Sequence, residues 1–227
     1  MFNWSQIDTV LLDMDGTLLD LHYDNYFWMH YLPIAIAQQN KLSIEQAREQ
    51  LMADYETVAG TLDWYCFDYW SNKTNIDIRQ LKTEVEHKIA WRNNVKPFLN
   101  ALAQAGKQRI LLTNCHPDGL ATKVRLTGLD QYLDQQFSVH QFGYPKEKPE
   151  LWQALLEHPP FEPERTLFID DNEKLLEQAS RFGIKFLLGI RNPDSQQASK
   201  SFKHFPSVDD YQPLTQQLVS SGPMLTR

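Results

Sequence analysis

The sequence predicts an α/β protein with a Rossmann-like, doubly wound parallel sheet and a small all-helical segment inserted after the first strand. From residue 97 onward, short apolar runs alternate with helical patterns, which is typical of parallel βαβ units. Between residues 20 and 94 the strand alternation disappears and aromatic residues recur at helical spacing. We therefore expect an α/β core of residues 1–19 and 95–227 and a helical domain of residues 20–94.

The first strand, predicted over residues 7–12, leads into an Asp-Met-Asp-Gly-Thr-Leu string at residues 13–18. Strand alternation places Asp13 and Asp15 on the same side if the extended conformation continues that far. Two carboxylates this close repel each other and are expensive to bury without a cation, which favours a divalent metal ion. A calcium loop does not fit, because its sixth position would be Leu18 instead of glycine. A strand that ends in an ordinary polar turn is the alternative.

Four helices are predicted in the inserted segment. A capping box of the Ser-x-x-Gln type opens the helix at residues 43–58. The other three are predicted over residues 25–39, with a kink or break at Pro33, over an aromatic-dense stretch at 62–72, and over 77–91.

The rest of the chain reads as βα repeats. Strands are predicted over residues 109–113, 137–139, 166–169 and 184–188, and helices over 97–105, 117–126, 149–156, 173–182 and 209–218. Polar residues stand at the ends of three strands where apolar residues could have continued, namely Asp13, Thr113-Asn114 and Asp170-Asp171. Because ligands on such sheets bind beyond the carboxyl ends of the strands, we expect these residues to converge on one rim.

The composition excludes several classes of function. The chain has 227 residues, of which 42% are hydrophobic and 22% charged, as in ordinary globular proteins. A formal net charge of −7 argues against a nucleic-acid polymer as partner, because that affinity comes mainly from Lys and Arg at phosphates. Cys66 and Cys115 lack metal-site or disulfide spacing, which favours a reducing, cytoplasmic compartment. No apolar stretch approaches the ~20 residues that span a bilayer, so no membrane partner is expected.

The string at residues 13–18 resembles the first motif of the haloacid dehalogenase-like hydrolases, an apolar strand followed by D-x-D-G-T-L. The resemblance implies that Asp13 is a nucleophile that forms an aspartyl-phosphate, that Asp15 is the general acid and then the general base, and that Gly16 belongs to the phosphate site. Dehalogenases of this family lack a carboxylate at the position of Asp15, because halide leaves without a proton. The presence of Asp15 therefore favours a phosphatase.

Two further motifs are implied by the same resemblance. Thr113 and Asn114 match the second motif, in which a hydroxyl and backbone N–H groups bind the transferring phosphoryl group. The third motif supplies a lysine, for which Lys146 and Lys148 both qualify. A following proline favours Lys148, whereas the six-residue spacing to Trp152 favours Lys146, and we choose Lys146.

Asp170 and Asp171 resemble the acidic fourth motif. With Asp13 and the backbone carbonyl of Asp15 they would offer oxygen ligands suited to Mg²⁺. The family pattern implies that Asp171 binds the ion directly and Asp170 directly or through water. Adjacent strand residues point to opposite faces, which argues against two direct contacts.

The helical segment resembles the cap that closes over the active site in this family. Several stretches of the chain also resemble those 5′-nucleotidases of the family that act on GMP and IMP, which implies a purine nucleoside monophosphate as the small-molecule substrate. Aromatic residues of the segment could stack a base, although packing within the segment's own core is their commoner role: Trp64, Tyr65, Phe67, Tyr69 and Trp70.

Three other functions remain open. A sugar-phosphate phosphatase or phosphomutase would use the same scaffold. A phosphonatase would need a Schiff-base lysine in the cap, whereas the lysines there are predicted to lie on polar helix faces: Lys41, Lys73, Lys82 and Lys88. A non-catalytic binding module would be expected to lose a catalytic carboxylate, and none is missing. The sequence makes no prediction of the oligomeric state.

Overall fold

Six strands form one parallel sheet in the structure, a computed structural model that describes residues 2–158 and 161–221. The strands are β1 (Thr9–Leu12), β2 (Gln108–Thr113), β3 (Gln135–Ser138), β4 (Thr166–Asp170), β5 (Phe186–Ile190) and β6 (Ser207–Val208), in the order β3-β2-β1-β4-β5-β6. The predicted parallel α/β sheet is confirmed. The sequence analysis missed β6, because two residues are too few to show a strand period.

The strand order reverses direction at β1. The chain moves outward from β1 to β2 and β3, then returns to β4 on the other side of β1 and continues outward. The backbone N–H of Asp13 still donates to Ile169 at 3.0 Å, so the end of β1 remains tied to β4. A switch of this kind opens a crevice beyond the carboxyl ends of the two central strands, which is where ligands bind on open α/β sheets.

The segment between β1 and β2 is helical. It contains α1 (His22–Tyr26), α2 (Leu32–Asn40), α3 (Ile44–Val58), α4 (Phe67–Thr74) and α5 (Ile78–Thr83). Its buried apolar side chains form a cluster separate from the two clusters that cover the faces of the sheet. The capping box of α3 is present, since Ser43 and Gln46 exchange both side-chain-to-backbone hydrogen bonds.

Three helical predictions in this segment need correction. The helix predicted from residue 25 starts at His22 and is interrupted by a π-helical turn, Phe27–Tyr31, before Pro33, which has no N–H to continue the α-helical ladder. The helix predicted over 62–72 is a 3₁₀ turn, Leu62–Tyr65, followed by α4, with extended backbone at Cys66 between them.

The helix predicted over residues 77–91 ends at Thr83, with only a 3₁₀ turn at Glu86–Lys88 beyond it. After that turn the chain pairs with the loop that follows β1: the carbonyl of Ala90 accepts a hydrogen bond from the backbone N–H of Asp20 at 2.9 Å. The N–H of Arg92 donates to Leu18 at 3.1 Å. The chain segments that leave and return to the sheet therefore run side by side, and this pairing excludes a helix that continues to residue 91.

Helices cover both faces of the sheet. They are α6 (Val95–Gln104), α7 (Pro117–Thr127), α8 (Pro149–Leu155), α9 (Glu173–Phe182) and α10 (Gln212–Ser221). Val10 and Leu12 face one apolar cluster with α6 and α10, whereas Leu11 faces the other with α8 and α9. Pro97 is the third residue of α6 instead of the predicted first, a place it tolerates because first-turn N–H groups lack helical partners. Within the described residues, no helix combines the length and apolarity needed to cross a bilayer.

Gly16, in the loop after β1, lies close to two other chain segments. Its φ of +89° is left-handed, and an added Cβ would lie 2.9 Å from both Asp171 Cγ and Pro193 Cβ. We expect Gly16→Ala to lower the free energy of unfolding by roughly 2–4 kcal/mol, from backbone strain and overpacking together. Urea unfolding measures the change.

Gly106→Ala is the matched control. Gly106 also has a left-handed φ, +67°, but nothing lies within 4 Å of the position that a Cβ would take there. We expect this variant to lose only about 1 kcal/mol, the cost of the left-handed conformation alone. Equal losses in the two variants would show that the close approach at Gly16 contributes nothing.

Candidate active site

The polar residues at the strand ends meet at the rim of the sheet. Asp13 follows β1, Asp170 ends β4 and Asp171 follows it, and one carboxylate oxygen from each lies within 4.8 Å of the others. The three residues line a cavity of about 330 Å³ between the sheet and the helical segment. The polar residues at the ends of β1 and β4 therefore converge, as the sequence predicts. Thr113 and Asn114, at the end of β2, line the same cavity.

Lys146 is buried at the centre of this group, with 1% of its surface exposed. Its Nζ lies 2.7 Å from Asp13 Oδ1 and 2.7 Å from Asp170 Oδ2. Burial lowers the pKa of Lys146, but the two carboxylates outweigh it and the pKa is raised overall. Lys148, the other predicted lysine, is exposed at the start of α8. Lys146 is therefore the lysine that the structure brings to the carboxylates.

Two hydrogen bonds hold the backbone of Lys146 in place. Its N–H donates to Asn114 Oδ1 at 2.9 Å, and its carbonyl accepts from Trp152 Nε1 at 2.9 Å. The bond from Trp152 explains the six-residue spacing between Lys146 and Trp152. The first turn of α8 brings the buried indole of Trp152 back to the loop that carries Lys146. The Asn114 amide also donates to Glu147 Oε2 at 3.0 Å, so this side chain fixes the loop.

Asp13, Asp170 and Asp171, which we call the acidic cluster, fit a divalent cation. Asp13 Oδ2 is buried and has no hydrogen-bond partner among the described residues. Burial raises the pKa of Asp170 to about 8, even though Lys146 acts in the opposite direction. A buried carboxylate oxygen without a partner, beside two more carboxylates, is the hard oxygen donor set that Mg²⁺ binds.

Asp170 and Asp171, the two carboxylates of the fourth motif, both belong to the acidic cluster. β4 ends at Asp170, so the strand alternation that argued against two contacts does not extend to Asp171. Asp171 Oδ2 also accepts from Lys200 Nζ at 2.8 Å, an interaction that the sequence analysis did not predict. The side chain of Asp15 lies outside the three-carboxylate group, and the predicted contribution of its backbone carbonyl stays a prediction.

Of the residues predicted to bind phosphate, Thr113 lines the cavity and Gly16 does not. Thr113 is buried at the end of β2, its Oγ1 accepting from the Cys115 N–H at 3.1 Å, and it lines the cavity near the start of α7. Gly16 does not line the cavity, and its N–H donates to the Leu19 carbonyl at 2.8 Å; its place in the phosphate site stays a prediction. Because Gly16 has no side chain, Asp171 can lie close to its backbone.

Asp15 lies in a second ion network. Its Oδ1 accepts from Lys123 Nζ at 2.6 Å, and Lys123 also donates to Asp24 Oδ2 at 2.6 Å. Burial raises the pKa of Asp15 to about 7, although the Lys123 ammonium acts to lower it. Asp13 and Asp15 are thus held by different lysines, and Asp15 has the affinity for a proton that a general acid needs at neutral pH.

Lys82 corrects one of the predictions about lysines. It was expected on a polar face of its helix, but it is buried and donates to Asp24 Oδ1 at 3.0 Å. Lys82 lies four residues after the buried Ile78, and Lys123 three after the buried Leu120. A lysine on the apolar face of a helix was the signal that could have found both.

The helical segment contributes an aromatic wall to the cavity. Of the five predicted aromatic candidates, Trp64, Tyr65 and Phe67 line the cavity, whereas Trp70 is buried in the segment's own core. Trp28 and Tyr55 also line the cavity, although the sequence analysis did not single them out. The lysines lining the cavity in the described part of the chain are Lys146 and Lys200, both outside residues 20–94, so the lysine that a phosphonatase needs does not lie there.

Tyr65 also connects the helical segment to the loops that carry Asn114 and Lys146. Its hydroxyl donates to Glu147 Oε1 at 2.8 Å, and Glu147 in turn accepts from Asn114. Tyr65, Glu147 and Asn114 therefore form one chain of hydrogen bonds from the aromatic wall to the residue that fixes Lys146.

Comparison with known proteins places this geometry in a family. The model of the haloacid dehalogenase-like hydrolase family matches residues 7–183. The GMP/IMP nucleotidases YrfG of Escherichia coli (strain K12) and Shigella flexneri are each 49% identical to this chain over 216 residues, covering 95% of this chain and 97% of theirs.

Solved structures share the fold at low sequence identity. A HAD phosphatase from Thermococcus onnurineus has a TM-score of 0.78 at 20% identity, covering 93% of this chain and 98% of that one. An L-2-haloacid dehalogenase from Xanthobacter autotrophicus has a TM-score of 0.63 at 17% identity, covering 95% and 100%. The sheet and the helical segment of this chain are therefore similar in arrangement to both a phosphatase and a dehalogenase.

The effect of Mg²⁺ on the Tm of the protein tests whether the acidic cluster binds a cation. We expect Mg²⁺ at about a hundredfold excess over its Kd to raise the Tm of the protein by about 5–10 °C, because the ion binds the folded state preferentially. In Asp170→Asn most of this shift should be lost. Asp134→Asn, which alters a carboxylate paired with Arg109 outside the cavity, should retain it. An undiminished shift in Asp170→Asn would contradict the assignment of the cluster.

Proposed function

The chain belongs to the haloacid dehalogenase-like hydrolase family, and from this premise we propose that it is a Mg²⁺-dependent phosphomonoesterase that hydrolyses purine nucleoside monophosphates through an aspartyl-phosphate. The observation that carries the proposal is the pair of carboxylates after β1. Asp13 faces Lys146 and the acidic cluster, whereas Asp15 faces Lys123 in a separate buried environment. Two carboxylates in different environments can take two different roles.

Asp13 carries out the first step. Its carboxylate oxygen attacks phosphorus, the bond from phosphorus to the ester oxygen breaks, and that oxygen takes the proton of the Asp15 carboxyl group as it leaves. Lys146, 2.7 Å from Asp13, offsets negative charge at the nucleophile and the phosphoryl group. Mg²⁺, held by Asp13, Asp170 and Asp171, would supply further positive charge at the phosphoryl oxygens.

The second step regenerates the enzyme. Asp15, now deprotonated, takes a proton from a water molecule whose oxygen attacks phosphorus, and the bond from Asp13 to phosphorus breaks. The products are inorganic phosphate and the free carboxylate of Asp13. Asp15 regains its proton in this step and is ready for the next ester, so both carboxylates finish in their starting states.

The cavity supports a nucleotide substrate. Its volume of about 330 Å³ lies within the range of small-molecule sites. The aromatic side chains that line the same cavity as the acidic cluster offer surfaces on which a purine can stack. The relatives at 49% identity are named for GMP and IMP, and we carry that substrate choice to this chain as part of the proposal.

We further propose that residues 20–94 act as the cap domain and that residues 1–19 with 95–227 form the catalytic domain. The paired segments at residues 18–20 and 90–92 would then be the connection between the two. Both cysteines are free, which supports a cytoplasmic location.

Phosphate release from a panel of esters tests this function. We expect GMP and IMP to be hydrolysed with higher kcat/KM than ribose 5-phosphate or glucose 6-phosphate, and turnover to stop when Mg²⁺ is removed with a chelator. Asp13→Asn should abolish turnover with the fold retained, since an amide cannot form the acyl phosphate. Equal kcat/KM for sugar phosphates and nucleotides would favour a sugar-phosphate phosphatase over a nucleotidase. An active Asp13→Asn variant would refute the assignment of Asp13 as the nucleophile.

A pair of lysine variants tests the charge at the nucleophile. Lys146→Met should lower kcat by about a hundredfold or more, because the ammonium that lies against Asp13 is lost. Lys148→Met changes an exposed lysine two residues away, and we expect its kcat to stay within about twofold of the wild type. Similar losses in the two variants would show that the role of Lys146 is not specific.

A further inference from the structure

Lys123 is a buried lysine that the proposed mechanism does not use. It lies on α7 with 1% of its surface exposed. Its Nζ is 2.6 Å from Asp15 Oδ1 and 2.6 Å from Asp24 Oδ2. A buried ammonium group is unfavourable unless it is paired, and these two carboxylates offset that cost. One comes from the loop after β1 and the other from the helical segment.

The network continues into the helical segment. The second oxygen of Asp24 accepts from Lys82 Nζ at 3.0 Å, and this ammonium lies 4.2 Å from the ring centroid of Phe27 and 4.6 Å from that of Tyr23. Asp15, Lys123, Asp24 and Lys82 therefore form one chain of alternating charges. It runs from the edge of the sheet to the interior of the helical segment.

Lys123 constrains how Asp15 is presented to the cavity. The lysine occupies Oδ1, and no hydrogen bond to Oδ2 is formed among the described residues. Asp15 lines the cavity, whereas Lys123 does not. Oδ2 is therefore the oxygen that remains for a proton in transit, and its position depends on where Lys123 holds the carboxyl group.

We propose that Lys123 is a positioning residue for the acid–base carboxyl of Asp15, and that Asp24 and Lys82 make this position depend on the packing of the helical segment against the sheet. The proposal rests on the proposed function, because it concerns the proton that Asp15 gives to the leaving group. Misplacing a reacting group by about 1 Å can cost a hundredfold in rate, so a positioning residue has a measurable effect without touching the substrate.

Two esters with different leaving groups isolate that proton transfer. The ribose oxygen of IMP needs a proton to leave, whereas p-nitrophenolate leaves readily without one. Comparing kcat/KM, which covers the chemistry up to departure of the leaving group, separates an effect on Asp15 from an effect on the nucleophile or on phosphate binding.

The experiment compares Lys123→Met, Asp15→Asn and the double variant. We expect Lys123→Met to lower kcat/KM for IMP by about a hundredfold and that for p-nitrophenyl phosphate by less than about fivefold, a selective loss of the size that general acids contribute. In the Asp15→Asn background, Lys123→Met should add less than about threefold, because it acts through Asp15. Equal losses for the two esters, or a further large loss in the double variant, would overturn the proposal.

A control and a second variant separate positioning from folding. Lys107→Met removes a half-buried ammonium that donates to the Trp4 carbonyl at the opposite end of the sheet, and it should leave the ratio of the two kcat/KM values unchanged. If Lys123→Met does not fold, Lys82→Met serves instead, because a thioether suits the surrounding aromatic rings. We expect Lys82→Met to lower kcat/KM for IMP selectively by about fivefold, a fraction of the general-acid contribution. An unchanged ratio in this variant would refute the dependence on the helical segment.

The outcome also distinguishes this proposal from the proposed function. A wild-type enzyme that hydrolyses p-nitrophenyl phosphate but neither GMP nor IMP would refute the nucleotide substrate. Ribose 5-phosphate, from which ribose also leaves as an alkoxide, would then replace IMP in the comparison of variants. A wild type that hydrolyses none of the three esters would refute both proposals.

Discussion

The burial of several carboxylates at one edge of a parallel sheet is the constraint on which the rest of this structure depends. Asp13, Asp15 and Asp170 lie where β1 and β4 end, and Asp24 approaches them from α1 of the helical segment. Each carboxylate would cost several kcal/mol if buried without a partner. Three buried ammonium groups offset them, from Lys146, Lys123 and Lys82. At the acidic cluster, the carboxylates of Asp13, Asp170 and Asp171 meet only the ammonium groups of Lys146 and Lys200 among the described residues, and a divalent cation there would stabilise all three carboxylates in their charged form.

The distribution of the lysines separates the two carboxylates after β1. Lys146 binds Asp13 together with a carboxylate of the acidic cluster, whereas Lys123 binds Asp15 together with Asp24 of the helical segment. In the proposed mechanism, the first network acts on the phosphoryl group and the second acts on the proton that Asp15 transfers. The same two networks join the helical segment to the sheet, through Asp24 in one case and through Tyr65 and Glu147 in the other.

Much of this arrangement could be predicted from the sequence, because it depends on local patterns. Apolar runs that end in polar residues predict the strands and their active edge, and the spacing from Lys146 to Trp152 reflects a hydrogen bond within one loop and helix. Helical spacing could have identified Lys123 and Lys82 as buried, but it could not identify their partners, because each partner lies far away along the chain; Lys123 and Asp15 are 108 residues apart. Helix ends in the inserted segment were also predicted poorly, because pairing of residues 90–92 with the loop after β1 overrides local helix signals.

The central claim is that Asp13 accepts the phosphoryl group covalently. Asp15→Asn should slow hydrolysis of the intermediate, and p-nitrophenyl phosphate should still form it because its leaving group needs no proton. The direct measurement is rapid quenching of this variant during turnover, followed by borohydride reduction and mass spectrometry of the peptides. The account predicts homoserine at position 13, the reduction product of an aspartyl-phosphate. Phosphate release with no modification at Asp13, or with the modification at another residue, would contradict it.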